Sequence, residues 1–363
     1  MTIHELDTPA LLIDLDVMEA NLRRVAAYAR RHNLRLRPHT KTHKIPALGR
    51  RQIELGAVGL TVAKVGEAEV MLHSGAPDLL VAYPILGRAK LERLAKVART
   101  TSVTVALDSL AAARQLSEAA CAAGVTFRVL CEIDVGLGRV GVDPGRPLVD
   151  LAEAVSALPN LIYQGITCYP GHIKSLDQDA DAQIAALSEV IQSSIDLLAK
   201  AGLSPEVVSG GSTPTLFQSH KVAGLNEIRP GTYIFNDRNT YECGACTLDD
   251  CAASVMVTVV STARPGQVIV DGGSKTFSSD RLVTGGPGFG YVREAPEAVF
   301  TRMNEEHGYL DVRQAAVRPQ LGERLRIIPN HVCVAMNLHE QVYGIRGETV
   351  ETMWKVEGRG KLQ

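Results

Sequence analysis

A TIM-like (β/α)8 barrel followed by an antiparallel β domain is the α/β fold class that this 363-residue sequence predicts. Three observations carry the expectation. From residue 34 to about residue 230, eight short apolar segments alternate with Ala-, Leu- and Glu-rich amphipathic ones, the count of an eightfold barrel. The early units recur about every 20 to 25 residues. Beyond about Phe235 the texture changes to Val-, Thr- and Gly-rich runs parted by turns such as Arg264-Pro265-Gly266, the pattern of antiparallel strands.

In chain order, a strand is expected at 10–15 and a helix at 17–32. Barrel strands are expected at 34–37, 58–62, 79–82, 102–106, 126–133, 161–168, 207–209 and 227–229. Helices are expected at 65–72, 91–97, 110–121, 147–156 and 181–201, where apolar residues recur at helical spacing. A doubly wound sheet is the competing arrangement, and it usually has fewer strands. The β domain offers strands at 253–261, 267–271, 324–328, 331–335 and 348–355. The barrel is therefore placed at 16–240 and the β domain at 241–363, with the strand near 10–15 pairing into the second domain.

A net charge of −2 argues against a generic nucleic-acid binder, and apolar runs such as 79–82 are far too short to span a membrane. The first residues, Met1-Thr2-Ile3-His4-Glu5, lack the basic-then-apolar order of a secretory leader. Seven cysteines, an odd and scattered set, read as reduced thiols. A soluble cytoplasmic protein is expected, with a small-molecule partner and neither nucleic acid nor membrane.

Active residues of such barrels sit where strands end and loops begin. Lys41 meets that condition in Arg37-Pro38-His39-Thr40-Lys41-Thr42-His43-Lys44, directly after the first barrel strand. Clustered cations disfavour a further ammonium, so Arg37, His39, His43 and Lys44 are expected to leave Lys41 more free amine for a Schiff base with a carbonyl cofactor. A basic loop facing phosphate or water is the alternative. After the sixth strand come Tyr169, Gly171 and His172. After the seventh comes 209–215, where Gly211, Ser212 and Thr213 offer small residues and hydroxyl donors to an anion. After the eighth come Arg229, Gly231 and Thr232. Asp134 and Arg139 follow the fifth strand as rim residues or a structural ion pair. In the β domain, Pro329-Asn330-His331-Val332-Cys333 would put His331 and Cys333 on one side of a strand, where they can share a cation such as Zn²⁺ or sit as a buried thiol beside a structural histidine. Cys243, Cys246 and Cys251 read as ordinary thiols.

Together these motifs resemble the fold-type III pyridoxal-phosphate enzymes, built like alanine racemase, and within them the D-threonine aldolase and D-serine dehydratase group. The resemblance runs through Asp7–Asp14, Arg37–Lys44, Tyr169–His172, Ser209–Thr213, Arg229–Tyr233, Asp271–Lys275, Glu305–Gly308 and Pro329–Cys333. It implies that Lys41 forms the Schiff base with pyridoxal 5'-phosphate, that Gly211, Ser212, Thr213, Gly231 and Thr232 hold the phosphate, and that Arg229 faces the pyridine nitrogen. It implies Tyr169 beside the cofactor ring, His172 as acid/base, and His331 and Cys333 as ligands of a divalent metal, Zn or Mn. Several aldolases of the group carry a carboxylate at the second metal position. The activity implied first is cleavage of a D-3-hydroxy amino acid such as D-threonine to glycine and an aldehyde, with the metal lowering the pKa of the β-hydroxyl. A dehydratase acting on D-serine, D-threonine or 3-hydroxyaspartate is the alternative, in which Lys41 removes the Cα proton. A racemase or a non-catalytic cofactor carrier would leave the His-x-Cys pair without a purpose. By analogy a homodimer is implied, with residues near Glu305–His307 and Asp271–Lys275 as candidates to reach a partner's site.

Overall fold

The computed structural model of the chain describes residues 1–176 and 178–363. It divides into two compact units: Val25–Gly231 with Gly360–Gln363, and Met1–Arg24 with Thr232–Arg359. A first strand, β1 (Ala10–Asp14), leads into α1 (Leu15–Arg31). Eight strands follow: β2 (Arg35–Leu36), β3 (Leu60–Val62), β4 (Asp78–Val81), β5 (Ser102–Leu107), β6 (Phe127–Ile133), β7 (Leu161–Cys168), β8 (Val207–Gly210) and β9 (Glu227–Ile228). They pair in parallel in the order β2-β9-β8-β7-β6-β5-β4-β3. A parallel bridge between His39 and Thr61 brings the two end strands together. There the Thr61 N–H donates to the Pro38 carbonyl at 2.8 Å and the Val58 N–H to that of Leu36 at 2.9 Å.

The strands β2 to β7 are followed by α2 (Pro46–Glu54), α3 (Val65–Met71), α4 (Arg88–Ala98), α5 (Leu110–Ala123), α6 (Arg146–Ala157) and α7 (Ala180–Lys200). All eight expected barrel strands are present; β2 and β9 are only two residues long. Alternation explains where the core sits. Leu79 and Val81, Val103, Val105 and Leu107, and Phe127, Val129, Cys131 and Ile133 pack against the helices. Each such side chain contributes roughly 1.5–3 kcal/mol on burial.

The opposite face of the strands fills the barrel, and it is unusually polar. Leu80, Leu130 and Val207 form a small apolar layer. Beside it, Arg37 and Arg128 both donate to Asp78, the latter at 2.8 Å, and Arg37 Nε donates to Glu227 Oε2 at 3.0 Å. Removing one partner from a buried ion pair leaves an uncompensated charge. Asp78→Ala is therefore expected to cost about 3–5 kcal/mol of unfolding free energy. Chemical denaturation checks this, and a change near zero would mean the arginines find other partners.

The second unit is built on β10 (Ala253–Arg264), β11 (Gln267–Val270), β12 (Gly290–Val292), β13 (Val299–Met303), β14 (Gly308–Asp311) and β15 (Arg324–Pro329). Their antiparallel order β11-β14-β13-β12-β15-β10 closes on itself through β10–β11, giving a six-stranded barrel. β1 extends the sheet, antiparallel to β10 and parallel to β16 (Gln341–Arg346), which carries β17 (Thr349–Lys355). Short helices α8 (Arg238–Glu242), α9 (Ser274–Phe277) and α10 (Val332–Leu338) fill the connections. The strand expected at 331–335 is α10. Val332, Ala335 and Met336 are its buried residues, the i, i+3, i+4 spacing of a helix face. Glu305 and Glu306 lie in the turn between β13 and β14, where Lys275 Nζ pairs with Glu306 Oε1 at 2.6 Å.

Candidate active site

Lys41 lies in a 3₁₀ turn (Thr40–Thr42) at the end of β2, exposed, while Thr40 and Thr42 are buried. Its Nζ is 6.0 Å from the centre of the Tyr169 ring, at the end of β7, and the Arg139 guanidinium is 5.0 Å from the same ring. The four cations near Lys41 in sequence do not form a positive cluster around it. Arg37 pairs with Glu227 and Asp78, and Lys44 Nζ with Glu67 Oε1 at 3.2 Å. Burial pushes both His39 and His43 below the ordinary imidazole range. Sequence proximity did not predict which carboxylates would claim Arg37 and Lys44.

His43 is fully buried and neutral. Its Nδ1 accepts the Ile45 N–H at 3.0 Å, and Nε2 faces Gln52 Oε1 at 3.3 Å. Burial lowers its pKa from 6.5 to about 4. An unfolded chain takes up that proton near pH 6.5 and the folded chain only near 4, so stability is lost as pH falls through this window. The loss should reach about 3 kcal/mol and then level off. Urea midpoints at pH 7 and pH 4.5 should differ accordingly, with a smaller difference in His43→Asn; equal differences in both proteins would assign the loss to other groups.

The loop after β8 turns at Gly211, whose φ of +90° suits glycine. Ser212 Oγ lies 3.0 Å from Thr215 Oγ1 and accepts the Thr215 N–H at 3.4 Å; Ser212 and Thr213 are buried. After β9, a Cβ on Gly231 would stand 2.9 Å from Thr42 Oγ1 and 3.0 Å from the His39 carbonyl oxygen, so only glycine lets this backbone approach the Lys41 turn. Arg229 is buried: Nη1 donates to Ser209 Oγ at 2.5 Å and Nη2 to the Cys168 carbonyl at 3.0 Å. Burial lowers its pKa. Glu132 is buried as well. Burial pushes its carboxyl up, while Arg229 and Arg139 pull the other way.

Asp134 and Arg139 do not form an ion pair with each other. Asp134 accepts the N–H groups of Gly136, Leu137 and Gly138 at 2.9–3.2 Å and so braces the loop that carries Arg139 to Tyr169. Burial pushes the Asp134 carboxyl up, but those amides and His172 outweigh it and hold it below the usual range. The His172 ring lies against Gly136, and its buried Nδ1 has no hydrogen-bond partner among the described residues. The barrel unit thus gathers Lys41, Tyr169, His172, Gly211, Ser212, Thr213, Arg229 and Gly231 at the carboxyl ends of its strands. Exposed amine, glycine-lined turns and buried hydroxyls fit a phosphorylated carbonyl cofactor.

Thr232 belongs to the other unit, where its Oγ1 lies 3.8 Å from Cys333 Sγ. His331 caps α10 and Cys333 is the second residue of that helix, so a helix start, not a strand face, brings them together. The two side chains are hydrogen-bonded, and Cys333 pushes the His331 imidazole up to about 9. They can offer one nitrogen and one sulfur to a single cation. No group of three or more His, Cys, Asp or Glu suited to a metal occurs among the described residues. Asp237, absent from the sequence expectations, is buried here: Oδ2 accepts the Val332 N–H at 3.0 Å and Oδ1 the Thr240 N–H at 2.9 Å.

Residues 13–239 match the alanine racemase, N-terminal domain family, and residues 252–345 a serine dehydratase domain. The chain belongs to the alanine racemase N-terminal domain family. Among its relatives, a D-threonine aldolase of Arthrobacter sp. is 34% identical over 98% of this chain and 93% of its own. A D-threo-3-hydroxyaspartate dehydratase of Delftia sp. strain HT23 is 34% identical over 92% of each, and a cysteine-to-alanine mutant of such a dehydratase has been solved in a metal-free form (31% identity, 98% of each chain, TM-score 0.90). The crystal structure of D-threonine aldolase from Filomicrobium marinum covers 100% of this chain and 98% of its own, at 36% identity and a TM-score of 0.94. Within this family architecture, Glu227 carries a role that sequence reasoning passed over, and Ser209 was read only as part of the glycine-rich run 209–215. Glu227 opens β9 and Arg229 directly follows its end, and in extended chain that spacing of two alone could have placed both on one face.

Proposed function

We propose that the chain is a pyridoxal-phosphate-dependent lyase of D-3-hydroxy amino acids, cleaving D-threonine to glycine and acetaldehyde with a divalent cation, Zn²⁺ or Mn²⁺, at His331 and Cys333. The observation that carries this reading is Lys41: an exposed amine at the end of β2, beside Tyr169, in a barrel unit whose last two strands are followed by turns at Gly211 and Gly231. Bound pyridoxal phosphate supplies an electron sink for a bond broken at Cα. Lys41 anchors it through Nζ, and the amides and hydroxyls of Gly211, Ser212, Thr213, Gly231 and Thr232 hold its phosphate. Arg229 offers only donors that it does not readily release, so it restrains the sink and limits side reactions. His172 carries the hydroxyl proton at its unpartnered Nδ1. A cation on His331 and Cys333 supplies Lewis acidity toward a hydroxyl.

Cys333 favours a second reading, a dehydratase of D-serine or 3-hydroxy-D-aspartate in which Lys41 takes the Cα proton, because alanine mutants of a histidine and a cysteine two positions apart have been solved for the dehydratase relative, the spacing of His331 and Cys333. One assay separates the two: with D-threonine, pyridoxal phosphate and Mn²⁺ or Zn²⁺, an aldolase yields glycine and acetaldehyde, a dehydratase 2-oxobutanoate and ammonia. Neither pair of products from D-threonine, D-serine or 3-hydroxy-D-aspartate would overturn both. No helix among the described residues is long and apolar enough to cross a membrane. None of the seven cysteines, all among the described residues, is in a disulfide, which supports a cytoplasmic setting, and we read the chain as a homodimer by analogy with its fold group.

A further inference from the structure

Buried arginines usually meet a carboxylate directly, because an unpaired charge away from water is costly. Arg229 does not. Its guanidinium donates to a serine hydroxyl and a backbone carbonyl; Glu132 acts on it only through space, and its hydrogen-bonded link to a carboxylate among the described residues is indirect: Ser209 Oγ donates to Glu227 Oε1 at 2.7 Å. A carboxylate can only accept, so the single hydroxyl proton of Ser209 must point at Glu227, leaving a lone pair directed at Arg229 Nη1. The orientation is fixed at both ends. Glu227 is itself held, since its other oxygen accepts from Arg37 Nε at 3.0 Å, and Arg37 is braced in turn by Asp78. Ser209 and Glu227 are both fully buried, so no competing water reaches the relay from outside the protein.

We propose that Ser209 is a positioning residue for the cofactor: it transmits the negative charge of Glu227 to Arg229 and fixes which way the guanidinium faces. Among the described residues, two of the five N–H donors of Arg229 have partners, which leaves others to meet an acceptor on a ligand. This rests on the reading that Arg229 faces the pyridine nitrogen. The serine also explains why the pairing is indirect. A carboxylate in direct contact would draw the guanidinium toward the barrel interior, whereas a neutral intermediary holds it without claiming its remaining donors.

The test is the visible absorbance of the cofactor bound to the full-length protein, followed as a function of pH, in Ser209→Ala and in the volume-conserving Ser209→Cys, with Arg229→Gln as reference. A cation held against the ring disfavours protonation of the cofactor. Loosening it should raise the pH midpoint by about one unit in Ser209→Ala, in the same direction as in Arg229→Gln and by less. Cofactor should still bind at full stoichiometry, because the lysine and the phosphate loops are untouched. A Ser209→Ala midpoint equal to that of the parent, while Arg229→Gln shifts, would overturn the positioning role alone. No shift in Arg229→Gln would overturn the placement of Arg229 at the ring, and the proposal with it. Should Ser209→Ala fail to fold, Ser209→Cys decides: a midpoint displaced upward supports the relay and an unmoved one refutes it.

Discussion

Lys41→Ala is expected to abolish the visible absorbance that pyridoxal phosphate acquires on binding, and to lower turnover by at least about 10³-fold. The amine is the sole group of the barrel unit's candidate site able to hold the cofactor covalently, and removing a nucleophile from a unit that acts together commonly costs this much or more. The loops at Gly211 and Gly231 are intact in this variant, so phosphate-dependent binding should persist with weaker affinity. Absorbance of the parent type in purified Lys41→Ala would move the attachment point to another lysine and undo the assignment of the whole rim. Unchanged thermal stability is the companion expectation, because the side chain is exposed while the turn around it is held by Thr40 and Thr42.

His331→Ala and Cys333→Ala should behave in the opposite way, keeping the cofactor absorbance and losing the metal. A cation acting on a hydroxyl contributes several kcal/mol, so turnover should fall by roughly two to three orders of magnitude in either variant. Metal analysis of purified protein is the direct check. Full activity of the parent after exhaustive chelation would take the cation out of the reaction. Cys333→Asp is the informative companion, because it replaces a soft thiolate with a hard carboxylate and should move the preference from Zn²⁺ toward Mn²⁺.

The barrel was legible because parallel strands buried on both faces read as short apolar runs, and 79–82, 102–106, 126–133 and 161–168 are such runs. The second unit was harder. Its strands at Gly290–Val292, Val299–Met303 and Gly308–Asp311 are short and mixed in polarity, and two of them begin at a glycine, so little periodic signal marks them. Residues 331–335 misled for a specific reason. Val332 and Val334 favour a strand by shape, but tertiary packing chose the helix that buries Val332, Ala335 and Met336. Individual site residues were readable where chemistry is local, as with Lys41 in its turn. The environment of Lys41 was not, because the partners of Arg37 and Lys44 come from residues up to 190 positions away. A separation of 95 positions likewise hid Asp237 as the brace of α10.

Pairing of β1 also bears on how the chain is made. Leu11, Leu12 and Ile13 are wholly buried, between β10 on one side and β16 on the other. A ribosome exposes those three residues before the barrel unit and completes β16 only when Arg346 has been added. At translation speeds of roughly 5–20 residues per second, a sticky apolar strand waits on the order of tens of seconds for its partners. The residues of the barrel unit, all but its last four, emerge during that interval. Nascent chains of this protein should therefore depend on chaperones through the strand Ala10–Asp14 rather than through the larger barrel.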